Sequence, residues 1–176
     1  MVQLLLQHQF MLPILIHNKE KGIAVVEILV VVGVIAIIIS SLLGVVVFSL
    51  KLSVSVKETT TADALAQEVI EAVRNFRDGT EWDSGGLGAL NTGSAYYPEK
   101  SGGTPPAWML VEGEETIDSF VRKVIFERAS RDPGTNIIED VYSFGNDDPD
   151  TVKVIATVSW ENKKVEIITY FTNWRQ

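Results

Sequence analysis

The sequence predicts an α+β fold in which one long amino-terminal helix enters a membrane with its first half and packs its second half against a small antiparallel sheet. Two observations lead to this prediction. Residues 28–50 form an apolar run of 23 residues without a charge, and about 20 helical residues cross the ~30 Å hydrocarbon core of a bilayer. The carboxy-terminal third contains segments in which apolar and polar residues alternate, as in half-buried strands.

The helix is expected to continue beyond the apolar run. Apolar residues recur there at spacings of three and four, which marks one face of a helix; they are Ala62, Leu65, Ala66, Val69, Val73 and Phe76. Gly79 is the expected helix stop. An unbroken helix over residues 23–78 would be about 84 Å long at ~1.5 Å per residue, so its first half is expected to project as a stalk and its second half to carry the head.

Three strands are predicted in the carboxy-terminal part, over residues 120–128, 152–160 and 165–171. The four residues 161–164 have a length suited to an antiparallel hairpin between the last two strands. Residues 83–106 are rich in Gly, Ser, Thr and Pro, and predict a long surface connection. The aromatic residues in and beside this connection either form a binding patch or, as the favoured interpretation, fix it to the core; they are Trp82, Tyr96, Tyr97 and Trp108.

Composition excludes several kinds of function. The chain has no cysteine, and His8 and His17 both precede Gly22, so a chain cut there would lack the residues of Ser-His-Asp and Cys-His catalysis. A net charge of −8 disfavours nucleic acid as a partner, because phosphate binding needs clustered Lys and Arg. We therefore expect a protein that is not an enzyme and has no cofactor.

A cluster of carboxylates offers a weak metal candidate. Asp147, Asp148 and Asp150 lie close together in the sequence, and carboxylate oxygens are calcium ligands. The segment lacks the order of ligands and glycine found in an EF-hand loop, which favours a solvated turn over a calcium site.

The segment before the apolar run carries a processing motif. Gly22 is followed by Ile23 and, at the fifth position after the glycine, by Glu27, which stands at the edge of the uncharged run. A carboxylate so close to hydrocarbon is a functional-site hypothesis by default, since it needs a positive partner. The combination resembles the signal of type IV pilins and type II secretion pseudopilins, although Ile23 replaces the usual phenylalanine and Gly44 stands where many pilins have a proline.

The resemblance implies a sequence of processing steps. A prepilin peptidase would cut between Gly22 and Ile23, the same enzyme would methylate the new amino terminus at Ile23, and Glu27 would attract the terminal amine of a neighbouring subunit during assembly. It divides the chain into a leader (residues 1–22), a transmembrane half-helix (23–50), an amphipathic half-helix (51–78) and a pilin-like head (79–176). Removing the leader, with its two lysines and one glutamate, would leave a net charge of −9.

The resemblance also implies partners and a location. The partners would be the peptidase and methyltransferase, other pilins or pseudopilins, and an assembly platform with its ATPase. Lys19 and Lys21 before the span predict a cytoplasmic amino terminus and an exported head on a single-pass protein of the cytoplasmic membrane. The ending, with Trp160 and Trp174, is most similar to minor pilins and to I-type minor pseudopilins, in a surface or periplasmic filament.

Two alternatives stay open at this point. Translation from Met11 instead of Met1 would give the short basic leader that is usual in pilins. The apolar run can also be an uncut signal anchor, in which case the chain is a single-pass, membrane-anchored extracytoplasmic binding module that does not enter a filament.

Overall fold

The computed structural model describes residues 18–174, with side chains from residue 24 onward. The structure does not describe the part of the predicted leader before Asn18, which includes both candidate start residues, Met1 and Met11. The side chain of Ile23 also lies outside the described residues. One long helix, α1 (Asn18–Gly79), is followed by six strands. Internal contacts divide the chain into two compact units, one ending at Val54 and one beginning at Ser55.

The second unit contains a six-stranded antiparallel sheet. Its strands are β1 (Ala95–Lys100), β2 (Trp108–Glu112), β3 (Glu115–Ile117), β4 (Phe120–Ser130), β5 (Asp147–Trp160) and β6 (Lys163–Thr172). The spatial order is β2-β1-β4-β5-β6, and β3 pairs with β4. Helix followed by antiparallel sheet is the α+β layout predicted from the sequence, so the predicted fold class is confirmed.

The apolar stripe of α1 covers one face of the sheet, as predicted. Ala62, Ala66, Val69 and Val73 have no exposed surface. Val69 and Val73 join a cluster that includes Phe126 of β4, while the small side chains of Ala62 and Ala66 pack in a second cluster with Phe120, Val158 and Trp160. The helix ends at Gly79, as its glycine predicts.

The predicted surface connection over residues 83–106 is wrong in one part, because it contains strand β1. This strand pairs with β2 from Tyr96 to Lys100 but with β4 only at Ala95 and Tyr96. Pro98 lies where β1 has a strand on one side only, which is the position in a sheet that tolerates a residue without a backbone N–H. Pro98, which the sequence pattern assigns to a loop, is therefore accommodated in a strand.

The loop of the β5–β6 hairpin is shorter than predicted. Trp160 pairs with Lys163, so the loop consists of Glu161 and Asn162, and the two lysines after it belong to β6. Glu161 adopts a positive φ of 49°, the left-handed conformation that short hairpin loops require. Residue 161 is not a glycine, so the sequence did not indicate a two-residue turn.

Strand β5 begins five residues earlier than predicted, at Asp147. Its pairing with β4 changes register at a bulge between Arg128 and Ala129, and residues 149–151 have no partner on β4. Pro149 lies in this unpaired stretch, where its missing N–H removes no ladder hydrogen bond. The predicted solvated turn at the aspartates is thus the first part of a strand.

Candidate assembly site

The first unit consists of the amino-terminal part of α1, and its surface is apolar. Every side chain from residue 24 to residue 54 is exposed, including large apolar ones such as Ile37 and Phe48. Among the described residues, α1 is the one helix long and apolar enough to cross a membrane. An apolar surface of this extent is unfavourable in water, which agrees with a single membrane span.

Two serine hydroxyls inside the apolar run are bonded within the helix itself. The hydroxyls of Ser40 and Ser41 donate to the carbonyls of Ala36 and Ile37 at 2.8 and 2.9 Å. A β-carbon added at Gly33 or Gly44 would meet no atom of this chain. Residues 28–50 carry no charge, and the hydroxyls of Ser40 and Ser41 are bonded within the helix, which suits a bilayer environment.

Glu27 lies at the beginning of this run, and its side chain is exposed. The next charged residue along the helix is Lys51, about 36 Å further at ~1.5 Å per residue. The bond between Gly22 and Ile23 lies within α1. The structure thus places the predicted cleavage position, the predicted methylation position and Glu27 within two turns of one helix.

In the second unit, α1 is fixed to the β5–β6 hairpin by a charged cluster. Glu58 accepts hydrogen bonds from Lys163 Nζ at 3.0 Å and from Trp160 Nε1 at 3.2 Å, and the same lysine reaches Ser55 Oγ at 3.4 Å. The hydrogen bonds from Lys163 and Trp160 lower the pKa of Glu58 below its ordinary value. The cluster fixes the hairpin end of the sheet near the beginning of the head.

A second ionic contact lies deeper in the head. Arg122, on β4, is only 5% exposed and lies on the core face between Phe120 and Val124. Its Nε donates to Glu115 Oε2 at 2.6 Å, and its Nη1 lies 3.2 Å from Glu68 Oε2 without hydrogen-bond orientation. One guanidinium therefore holds together α1, β3 and β4.

Two variants at this contact should differ in the free energy of unfolding. Arg122→Met keeps an unbranched side chain in the core and removes the charge, so we expect the free energy of unfolding to change by less than about 1 kcal/mol. The double variant Glu68→Gln, Glu115→Gln leaves a buried guanidinium without a counter-charge, and should lower the free energy by roughly 1–3 kcal/mol. Urea unfolding followed by tryptophan fluorescence measures both; a greater loss for Arg122→Met would contradict this account.

The aspartates considered for calcium have other partners. Asp147 accepts from Tyr142 at 2.9 Å, Asp148 from Arg131 at 2.8 Å, and Asp150 from Asn173 at 3.1 Å. Burial alone would raise the pKa of Asp148, but hydrogen bonds from Arg131 and Thr151 leave that pKa below its ordinary value. The partners of Asp147 and Asp148 lie in the β4–β5 connection. Among the described residues no group of three or more His, Cys, Asp or Glu side chains that could hold a metal ion is found.

The aromatic residues of the middle segment mainly fix it to the core. Trp82 and Tyr96 are buried in the larger cluster, and Trp82 Nε1 donates to the carbonyl of Pro149 at 3.2 Å. Tyr97 and Trp108 are half-buried, with Lys100 Nζ 4.8 Å from the centre of the Trp108 ring. The favoured interpretation of these aromatics is confirmed for Trp82 and Tyr96.

Sequence reasoning missed the ionic contacts of Glu58 and Arg122 in the head. A signal existed for Arg122, since it alternates with Phe120, Val124 and Phe126 and so occupies a core position, where a charge needs a partner. Its partners, and those of Glu58, are distant in the sequence and carry no local pattern. Comparisons with protein-family models, with curated proteins and with solved structures found no match to this chain.

Proposed function

We propose that the chain is a structural subunit of a type IV pilus or a type II secretion-like filament, a minor pilin or pseudopilin whose work is assembly. In this proposal it is made as a precursor in the cytoplasmic membrane with its amino terminus in the cytoplasm. A prepilin peptidase cuts it between Gly22 and Ile23 and methylates Ile23. The exposed apolar helix then leaves the lipid to pack against other subunits.

One observation carries the proposal: Glu27 stands as a lone carboxylate at the start of an uncharged helical run whose side chains are all exposed. A simple anchor has no use for a charge at this position, and a charge there is unfavourable unless it is paired. The amine released by cleavage four residues earlier is positive near neutral pH. Glu27 of one subunit and the amine of Ile23 on the next are complementary in charge, and both lie at the membrane-entry end of the helix.

The head supports the proposal through its attachment to the helix. Glu58, Glu68 and the apolar stripe fix the sheet to the same helix that carries Glu27. These contacts all lie in the second unit, where the helix and the sheet share one core. The assembly platform and its ATPase would act on the membrane-embedded helix.

The test is the intact mass and amino-terminal sequence of the protein recovered from the membranes of its own host. We expect a chain that begins at residue 23 and carries one methyl group on its terminal nitrogen. A host strain without prepilin peptidase is the control and should contain the uncut chain. Recovery of a chain that still includes Lys19 and Lys21 from active cells would contradict the proposal and favour the membrane-anchored extracytoplasmic binding module.

A further inference from the structure

The outer face of the sheet, which is the face opposite α1, carries a row of apolar side chains. Ala95, Ile125, Ile155 and Ile168 are direct neighbours across β1, β4, β5 and β6. Ile168 is 51% exposed, and the other three are half-buried between neighbouring strands. We call these four residues the isoleucine row. A solvent face normally carries polar residues at such positions, so the row marks a surface suited to a contact with another molecule.

The rows on either side of the isoleucine row are polar. Taken from β4, β5 and β6 in that order, one consists of Glu127, Lys153 and Tyr170, and the other of Lys123, Thr157 and Glu166. The two rows contain two lysines and two glutamates and so have no net charge, whereas the whole chain has a net charge of −8. This face is therefore spared the acidic repulsion that opposes contact between copies elsewhere on the chain.

The direction of α1 within the head limits how two copies can meet. Glu58 contacts Lys163, the first residue of β6, and Asp78 accepts a hydrogen bond from Trp174, which follows the end of β6. The second half of α1 therefore runs along β6 in the same direction. Two chains inserted in one membrane from the same side have their helices in the same direction, so each strand must also run in the same direction in both copies. A two-fold axis parallel to the strands meets this condition.

We propose that the outer face is a contact surface for a second copy of the same chain, related by a two-fold axis that is parallel to the strands and lies between β4 and β5. This rotation places β4 of each copy over β5 of the other and leaves each residue at its own level along the axis. Two-fold contacts of this kind use the same patch on both partners. Two sheets packed face to face lie about 10 Å apart, with strand directions within about 30° of each other, so both copies of α1 keep a common direction.

The side chains of β4 and β5 decide in favour of a second copy as the occupant. Ile125 of one copy faces Ile155 of the other, so the isoleucine row meets itself. In the row on one side, Glu127 faces Lys153 of the second copy. In the row on the other side, Lys123 faces the hydroxyl of Thr157. Each of these contacts occurs twice, and no like charges stand directly opposite each other, which is the complementarity that specific contacts require.

The charged residues nearest the axis remain available although they already pair within one chain. Lys153 Nζ lies 3.0 Å from Glu127 Oε2, and the Glu127 side chain is still 47% exposed. Two such pairs would come together at the axis with opposite charges facing. The outward residues of β4, β5 and β6 are fewer than the 20–30 per side of a standard interface. We therefore expect a weak contact that becomes effective when both chains are held in one membrane.

Cysteine cross-linking tests this geometry directly, because the chain has no cysteine of its own. Thr157 lies on a strand beside the axis, so its two copies would be ~11 Å apart, at ~4.8 Å between strands and ~10 Å between sheets. Met109 is 41% exposed on the same face, but it lies on the edge strand β2, and its two copies would be ~26 Å apart. We expect the full-length Thr157→Cys chain in detergent micelles to be linked by a short bismaleimide at least tenfold faster than the Met109→Cys chain. Equal rates, or no linkage at residue 157, would overturn the proposal.

A charge exchange between two chains adds a second readout in the Thr157→Cys background. Glu127→Lys sets a lysine against Lys153 of the second copy, and Lys153→Glu sets a glutamate against Glu127. Each variant alone should be linked at least tenfold more slowly than the parent chain. An equal mixture of the two variants restores opposite charges at both contacts of the mixed pair, so linkage should recover and the product should contain one chain of each kind.

Neither variant regains its internal charge pair in the mixture, so a recovery can come only from the contact between copies. A mixture that is linked as slowly as the separate variants would overturn the proposal. A size tag on one of the two chains identifies the mixed product by gel electrophoresis. The cross-link does not depend on cleavage after Gly22, so this result and that of the processing test are separate.

Discussion

Replacing Glu27 by glutamine should leave the chain cut after Gly22 and lower its recovery in filaments at least tenfold. Glutamine has the shape of glutamate but no charge. In the proposed filament, the terminal amine of Ile23 on the next subunit would therefore be left in an apolar contact without a counter-charge. Removing one partner of a buried ion pair is typically worth about 3–5 kcal/mol, more than a tenfold effect requires. The measurement is the amount of processed chain in sheared or purified filaments relative to the membrane fraction of the same cells.

The matched control for this experiment is Asp63→Asn on the same helix. Asp63 is an exposed acid in the amphipathic half of α1, where water already solvates its charge, and its substitution should leave incorporation within about twofold of wild type. Equal recovery of the Glu27→Gln and Asp63→Asn chains in filaments would contradict the role assigned to Glu27. Loss of cleavage in Glu27→Gln would instead place the residue in peptidase recognition.

Most of α1 and its packing followed from local patterns. The stripe of Ala62, Ala66, Val69 and Val73 has helical spacing and is buried in the structure, because one face of a helix at the surface of a domain must cover something apolar. The alternation in β5 likewise identified its buried face, which carries Val152, Val154, Ala156, Val158 and Trp160. Each of these elements repeats one period over many residues, so its type and its buried face can be predicted from the sequence.

The elements that sequence reasoning missed depend on pairing between distant segments. Pro98 and Pro149 suggested loops, yet each lies in a strand at a place that lacks a partner on one side. Only the register of neighbouring strands makes those positions acceptable for proline, and register is not a local property. The partners of Arg122 could not be predicted either, because they lie on other elements: Glu68 on α1 and Glu115 on β3.

The functional features likewise divide into those that a local sequence pattern predicts and those that depend on the pairing of strands. The span and Glu27 were evident from the sequence, since absence of charge over a long run is a local property. The alignment of Ile125, Ile155 and Ile168 on the outer face of the sheet was not, because these residues become neighbours only through the registers of β4, β5 and β6.

Replacing Phe126 by alanine should lower the free energy of unfolding of the head by about 3–5 kcal/mol. Phe126 has no exposed surface, belongs to the larger core cluster and meets the Tyr96 ring edge-on at 5.6 Å between ring centres. The Tyr96 hydroxyl in turn accepts the backbone N–H of Asn91, so the cavity would also loosen the segment before β1. A loss of this size is a large part of the ~5–15 kcal/mol that stabilises an ordinary domain.

The measurement is urea unfolding of the full chain in detergent micelles, followed by tryptophan fluorescence. All four tryptophans lie after residue 81, so the signal reports the head and not the span. Phe144→Ala is the matched control: Phe144 is 82% exposed in the β4–β5 connection, and its removal should change the free energy by no more than about 0.5 kcal/mol. Similar losses for the two alanine variants would mean that the sheet does not close over the helix around Phe126, because only a closed core distinguishes one phenylalanine from the other.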